Sequence, residues 1–141
     1  MSGTTNPIRY IIDTNNTITA TFAPDTHTVS IATIGRGSVI KRPDSLWYDY
    51  HTLVRVEAVP DPGWHFTEWS GGMTGTANPT EVYADSDIAI TAHFAINTFT
   101  LTVTAANGTV TRSPDQAQYD SNTTVQFYVP SLKGEAPPEY I

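Results

Sequence analysis

The chain has 141 residues, 39% hydrophobic, 11% aromatic and only 15% charged, with a net charge of −7. That composition supports a core for one domain or two small ones; no apolar run approaches the roughly 20 residues that span a bilayer, and the absence of cysteine excludes disulfides, thiolate zinc sites and cysteine nucleophiles. Seven basic side chains, mostly scattered, against fourteen acidic ones argue against a nucleic-acid partner, whose phosphates must be neutralised by clustered Lys and Arg.

The opening Met1-Ser2-Gly3 carries neither the basic stretch nor the apolar run of a secretory signal, so a mature chain or a segment excised from a longer one is expected. Thr17-Ile18-Thr19-Ala20-Thr21-Phe22 is the first clear element. Apolar residues at every second position mark a half-buried strand, whereas a helix needs spacings of three and four. Further strands are predicted at about 27–34, 37–42, 51–59, 65–69, 81–83 and 88–94. Turns separate them at Gly35-Arg36-Gly37, Pro43-Asp44, Pro60-Asp61-Pro62-Gly63, Gly71-Gly72 and Asp85-Ser86-Asp87, where glycine supplies positive φ and proline fixes φ near −65°. The alternation returns in Thr98-Phe99-Thr100-Leu101-Thr102-Val103-Thr104. Threonine occurs 23 times, and its β-branched polar side chain suits the wet face of a strand. No segment shows convincing helical periodicity. The predicted fold is all-β, built from tandem small antiparallel or mixed modules of about 70 residues.

The sequence repeats itself. At an offset of 72, Asn6-Pro7 recurs as Asn78-Pro79, Asp13 as Asp85, Ile18-Thr19-Ala20 as Ile90-Thr91-Ala92, and Phe22-Ala23 as Phe94-Ala95. The offset then becomes 71, carrying Gly37 to Gly108, Pro43-Asp44 to Pro114-Asp115, Tyr48-Asp49 to Tyr119-Asp120 and Val54 to Val125. After Pro130 the match fails, and the segment from Asp61 through Gly71, with Trp64 and Trp69, has no second copy.

The succession Thr28-Val29-Ser30-Ile31, Gly37-Ser38-Val39, Pro43-Asp44, Tyr48-Asp49-Tyr50, Val54 to Pro60, and Gly63-Trp64-His65-Phe66-Thr67-Glu68-Trp69-Ser70-Gly71, closed by Ile88 to Phe94, resembles the divergent InlB B-repeat family. The family motif resembles G-[YW]-x-F-x-x-W-x-G, carried here by Gly63, Trp64, Phe66, Trp69 and Gly71. The resemblance reaches to Pro130 and implies a non-catalytic extracellular module of bacterial surface or secreted proteins. It also implies a division of the chain: residues 1–24 the C-terminal half of a unit, 25–96 a complete unit, 97–130 the N-terminal half of another, and 131–141 a divergent tail. The strand order within a unit, including a parallel pairing of its first and last strands, is not fixed by the pattern.

The two terminal halves are complementary, and each exposes an apolar strand face that needs a cover. Three covers are conceivable for residues 97–130: residues 1–24 of the same chain, residues 1–24 of a neighbouring copy, or the divergent end 131–141. Ile18, Phe22, Phe99, Leu101 and Val103 are the strand residues expected to pair between chains in the second case, in which a head-to-tail contact that does not close grows a filament.

Phe22, Phe66, Trp69, Phe94, Tyr48 and Tyr119 are expected in the core, with Trp69 needing a turn or bulge to share the face of Trp64 and Phe66. Trp47, Tyr50 and Trp64 are the candidates for ligand contact, a sugar face being a natural partner for an exposed ring; Trp47 aligns with Gln118 and is dispensable to the fold. Asp85-Ser86-Asp87 and Asp13-Thr14-Asn15 lack the remainder of a calcium loop and are expected to be turns. His27, His51, His65 and His93 form no helical metal pair, and no metal or cofactor is expected. Glu57 and Glu68 are conceivable as an acid–base pair, but Glu57 alternates outward, and no nucleophile with a neighbouring base stands out, so catalysis is not expected. The expected role is structural, display or adhesive, with two alternatives: a carbohydrate-binding accessory module, or a self-assembling filament subunit. Expected partners are neighbouring repeats, copies of the chain itself, a glycan, or a host or cell-surface protein, without membrane insertion.

Overall fold

The computed structural model describes residues 3–130 and the backbone of a last short strand, Glu139–Tyr140. In chain order the strands are β1 (Thr26–His27), β2 (Val29–Ile34), β3 (Gly37–Arg42), β4 (Tyr48–Asp49), β5 (Leu53–Pro60), β6 (Trp64–Gly71), β7 (Thr80–Tyr83), β8 (Ile88–Ile96), β9 (Thr98–Phe99), β10 (Thr111–Ser113), β11 (Tyr119–Asp120), β12 (Gln126–Val129) and β13 (Glu139–Tyr140). The all-β class is as the alternation predicts, and each strand expected between residues 27 and 94 is present within one or two residues of its predicted bounds. Among the described residues no helix is long and apolar enough to cross a membrane.

Two three-stranded sheets hold the strands between residues 29 and 96 except β4, which pairs with β1. In the first, β8 lies between β2 and β6. It runs parallel to β2, with Val29 opposite Ile88 and Ile34 opposite His93, and antiparallel to β6, with Trp64 opposite Ile96. A parallel pair needs a long crossover, and here the whole second sheet supplies it. That sheet is antiparallel, with β5 between β3 and β7.

Period-two alternation decides what each strand buries. Val54, Val56 and Ala58 of β5 point inward while Arg55 is exposed, and Ile90, Ala92 and Phe94 of β8 do the same from the other sheet. With Val29, Tyr48, Trp69 and Ala84 they form one cluster. Burying side chains the size of Val54 or Ile90 contributes ~1.5–3 kcal/mol each. On β6 the register slips between Phe66 and Glu68, so Thr67 is the extra residue of a bulge, and its hydroxyl donates to the His93 carbonyl at 3.1 Å. The bulge turns Trp69 onto the face of Phe66, whose ring lies 4.9 Å away. Gly37 is required by packing, since a Cβ there would lie 2.6 Å from the Phe94 ring.

After β8 part of this architecture begins again. β9 pairs with β11 as β1 pairs with β4, and β10 pairs with β12 as β3 pairs with β5. The Tyr48 hydroxyl donates to the Pro43 carbonyl at 2.8 Å and accepts from the Ser45 amide at 3.1 Å; that of Tyr119 donates to Pro114 at 3.0 Å and accepts from Gln116 at 3.2 Å. The Lys41 ammonium donates to the carbonyls of Val29 and Ser45 and lies over the Tyr48 ring. Arg112 does the same with Leu101, Gln116 and Tyr119.

Two expectations need correction, and a third falls outside the described residues. Residues 3–25 lie in no strand and are exposed throughout, so Phe22, expected in the core, is 89% exposed, and Ile18 is 63% exposed. A strand exists only with a partner, and among the described residues no strand pairs with this segment. For the same reason Leu101 and Val103 lie outside any strand, although the alternation of residues 98–104 predicts one; only Thr98–Phe99 pairs. The expected divergent tail, residues 131–141, lies outside the described residues apart from the backbone of β13, which pairs with β12.

Candidate functional site

The most specific polar arrangement lies where the first two-sheet body meets the strands that follow it. Gly63, in the β5–β6 turn, has a φ of +82°, which glycine adopts freely and residues with a Cβ adopt rarely. Its carbonyl accepts from the Asn97 amide at 2.8 Å, and the Asn97 carbonyl accepts from the Ser121 amide at 2.7 Å. His65 Nδ1 meets Asn97 Oδ1 at 2.7 Å. The contact is close: a Cβ on Gly63 would come within 2.6 Å of Ser121 Oγ. Asn97 therefore joins both sides, its main chain and side chain holding β6 while its carbonyl holds the loop after β11.

The matching face at the other end of the body is open. The Tyr50 amide donates to the Asp25 carbonyl at 2.8 Å, the same bond as that from Ser121 to Asn97. Around it stand Tyr50, 58% exposed, with the His27 ring 6.2 Å from it edge-on, and His51, stacked on Tyr83 at 4.4 Å with an interplanar angle of 10°. His51 Nδ1 meets Asp85 at 2.7 Å, and the His27 ring lies 3.5 Å from Asp25 and 4.0 Å from Asp87. The Asp87 carboxylate accepts from the Thr28 amide at 2.8 Å and from its hydroxyl at 3.1 Å, bonds that hold its pKa below the usual carboxylate value. This turn thus ties β1 and β2 to β8 through a side chain. Stacked rings beside carboxylates can receive a flat or cationic surface. Among the described residues no group of three or more His, Asp or Glu side chains is placed to hold a metal.

The divergent InlB B-repeat domain matches residues 27–98, just over half of the sequence. The chain belongs to the divergent InlB B-repeat family. No curated protein and no solved structure matches it.

Within the InlB B-repeat the residues singled out from sequence divide sharply. Trp69, Phe94 and Tyr48 are buried and Phe66 packs against them, while Tyr119 is buried beyond the matched stretch. The three ligand candidates are not brought together. Trp47, 62% exposed, and Tyr50 flank β4 near the open face, whereas Trp64 pairs with Ile96 at the far end of β8 and packs against the core. Glu57 lies on β5 beside Arg55 and Glu68 on β6 in the other sheet. The junction through Gly63, Asn97 and Ser121 and the stack of His51 on Tyr83 were not singled out in the sequence. A signal for the junction exists there: Asp25 and Asn97 stand 72 residues apart, each immediately before a two-residue strand.

Proposed function

We propose that the chain is a non-catalytic structural module of an extracellular or cell-surface bacterial protein, in which InlB B-repeats follow one another as a stiff spacer that displays or presents a neighbouring domain. The division into residues 1–24, 25–96, 97–130 and 131–141 belongs to this reading. One observation carries it. The junction is made by main-chain bonds through Asn97 and by a turn in which Gly63 leaves no room for play, so successive units are held at a fixed angle rather than on a loose linker. Family membership supports the extracellular setting.

Small-angle scattering on chains carrying one, two or three inserted copies of residues 25–96 tests the reading. A stiff spacer lengthens linearly, by ~30 Å per unit, which is the span of a nine-residue strand such as β8 at ~3.3 Å per residue. Growth with the square root of copy number would mean flexible beads and would overturn it. A second reading, carbohydrate binding, is favoured by the exposed rings of Trp47 and Tyr50. Glycan-array binding that disappears in Trp47→Ala is expected if it holds, and an empty array removes it.

A further inference from the structure

The chain leaves one apolar strand face open and carries, elsewhere, the segment that covers that face in the complete unit. In the complete unit β8 pairs edge to edge with β2, and Ile90 and Phe94 of β8 fill the core against Val54, Val56 and Ala58. The counterpart of β2 is 101–106, because Arg112 reaches the Leu101 carbonyl as Lys41 reaches that of Val29, and because Asn107 takes the positive φ that Gly35 takes after β2. That stretch forms no strand. Beside it Phe99 is 58% exposed, Val125 and Phe127 are only partly buried where Val54 and Val56 are fully buried, and Phe99, Leu101, Tyr119 and Val125 line a shallow groove. The counterpart of β8 is 16–24, where Ile18 and Phe22 stand exposed in the positions of Ile90 and Phe94.

We infer that residues 6–23 of one copy dock onto the open half-unit 98–129 of a second copy of the same chain, as a parallel strand in the register β8 takes on β2. Transferring that register places Asn16 opposite Leu101, Ile18 opposite Val103 and Ala20 opposite Ala105. The polar groups match as well as the apolar ones. Asn15 occupies the place of Asp87, whose oxygen accepts from Thr28, and Thr100 occupies the place of Thr28. Asp13 occupies the place of Asp85 and faces Asn122 where Asp85 faces His51. On β5 the strand β7 lies along Leu53–Val56, whose counterparts are Thr124–Phe127, and residues 8–11 would lie there; β13 holds the same side of β12 further on, at Tyr128 and Val129, so the two do not compete for the same residues. The Trp64–Trp69 strand has no counterpart in either half, so the reconstituted unit keeps one open edge.

Closure within one chain is ruled out by distance. The Ile88 amide bonds the Thr28 carbonyl at the start of β8, so β1 lies at that end, and Asn97 leads into β9 at the other. Nine residues of strand separate the ends by ~30 Å. Ala23 is held to Thr26 by two intervening residues, a reach of roughly 10 Å. Residues 6–23 of the same chain are therefore not the donor, whereas those of a second copy carry no such tether, and each docked copy presents its own open half-unit to the next. Such a heterologous contact grows a linear filament when its rotation does not close a ring.

The inference rests on the unit boundaries proposed above. Its failure is separable from that of the spacer reading, because the scattering experiment varies inserted units and leaves residues 3–23 untouched. The chain has no cysteine, so single substitutions report pairing cleanly. An equimolar mixture of Ile18→Cys and Val103→Cys chains, oxidised mildly, is expected to form a disulfide between the two variants at least tenfold faster than Thr19→Cys with Val103→Cys, since a one-residue slip turns the side chain to the other face. Sedimentation velocity from about 1 to about 500 µM should show growth with concentration, lost in Ile18→Asp, a change at an exposed position that leaves the monomer folded. A monomer at every concentration, growth unaffected by Ile18→Asp, or a double variant that closes within one chain at high dilution would each overturn the inference.

Discussion

Replacing Trp69 by alanine tests most directly whether one tryptophan holds the complete unit together. Trp69 is 2% exposed, packs 4.9 Å from Phe66, and donates its indole N–H to the Ala77 carbonyl at 2.8 Å, while its amide bonds the Gly75 carbonyl at 2.7 Å. One residue thus fills the core between the sheets and ties down the loop after β6. The substitution removes a large apolar surface, opens a cavity and orphans the Ala77 carbonyl; buried aromatic-to-alanine changes cost ~3–5 kcal/mol. A unit the size of residues 27–98 is stable by only ~4–11 kcal/mol at typical values per residue. Most of that margin is expected to go. Urea unfolding followed by circular dichroism measures the loss, with a midpoint shift at unchanged slope showing that the same cooperative unit is being observed. Trp47→Ala is the internal control: that ring is 62% exposed and no described contact holds it, so its removal should cost less than ~0.5 kcal/mol. A loss below ~1.5 kcal/mol for Trp69→Ala, or equal losses at the two positions, would refute the placement of the core.

Tyr48→Phe keeps the ring and removes only the hydroxyl, leaving the Pro43 carbonyl and the Ser45 amide without their shared partner; a loss of ~1–3 kcal/mol in the same unfolding assay is expected. The Asp87 carboxyl, held below its usual value of 3.8 first by the Thr28 amide and then by the Thr28 hydroxyl, gives an acid dependence of definite sign. Because its folded-state pKa is depressed, its stabilisation is complete above the unfolded value and disappears as pH falls through the folded one, below 3.8. Asp87→Asn should flatten the acid limb of a urea-midpoint profile taken from neutral pH to pH 2, and superimposable limbs would refute the assignment.

The strands of the complete unit were legible because each carries its own period-two pattern between glycine and proline turns. Val54, Val56 and Ala58 face the core for the reason visible in the sequence: they alternate with Arg55 and Glu57. The parallel pairing of β2 with β8 was not legible, since a pattern says that a strand has one apolar face and not which of several strands lies beside it. Residues 17–22 show the same limit from the other side. Their alternation fits a sheet as well as that of β8, yet without a partner they form none, and Phe22 stands in water. The bulge at Thr67 was anticipated because Trp69 stands three positions beyond Phe66, an odd spacing that a regular strand cannot reconcile with a common face. The junction escaped because Gly63, Asn97 and Ser121 meet through main-chain groups, to which side-chain patterns are blind.

The two halves that share a sequence also separate framework from recognition. Where Lys41 is replaced by Arg112, the same carbonyls, acidic neighbour and tyrosine ring are engaged, so the bond pattern survives a change of side chain. Where the copies differ outright, one group of differences lies on the loop around β4, where Leu46, Trp47, Tyr50 and His51 stand against Ala117, Gln118, Ser121 and Asn122; others, such as Arg42 against Ser113 and Leu53 against Thr124, lie on β3 and β5. Among these, Ser121 is spent on the junction, while Tyr50 and His51 keep their rings on the open face, beside Tyr83. A position required for folding would have to be filled compatibly in both copies. The positions around β4 are not, and they are exposed, so part of what distinguishes the two copies lies on the face where, on the proposed reading, a neighbouring unit would sit.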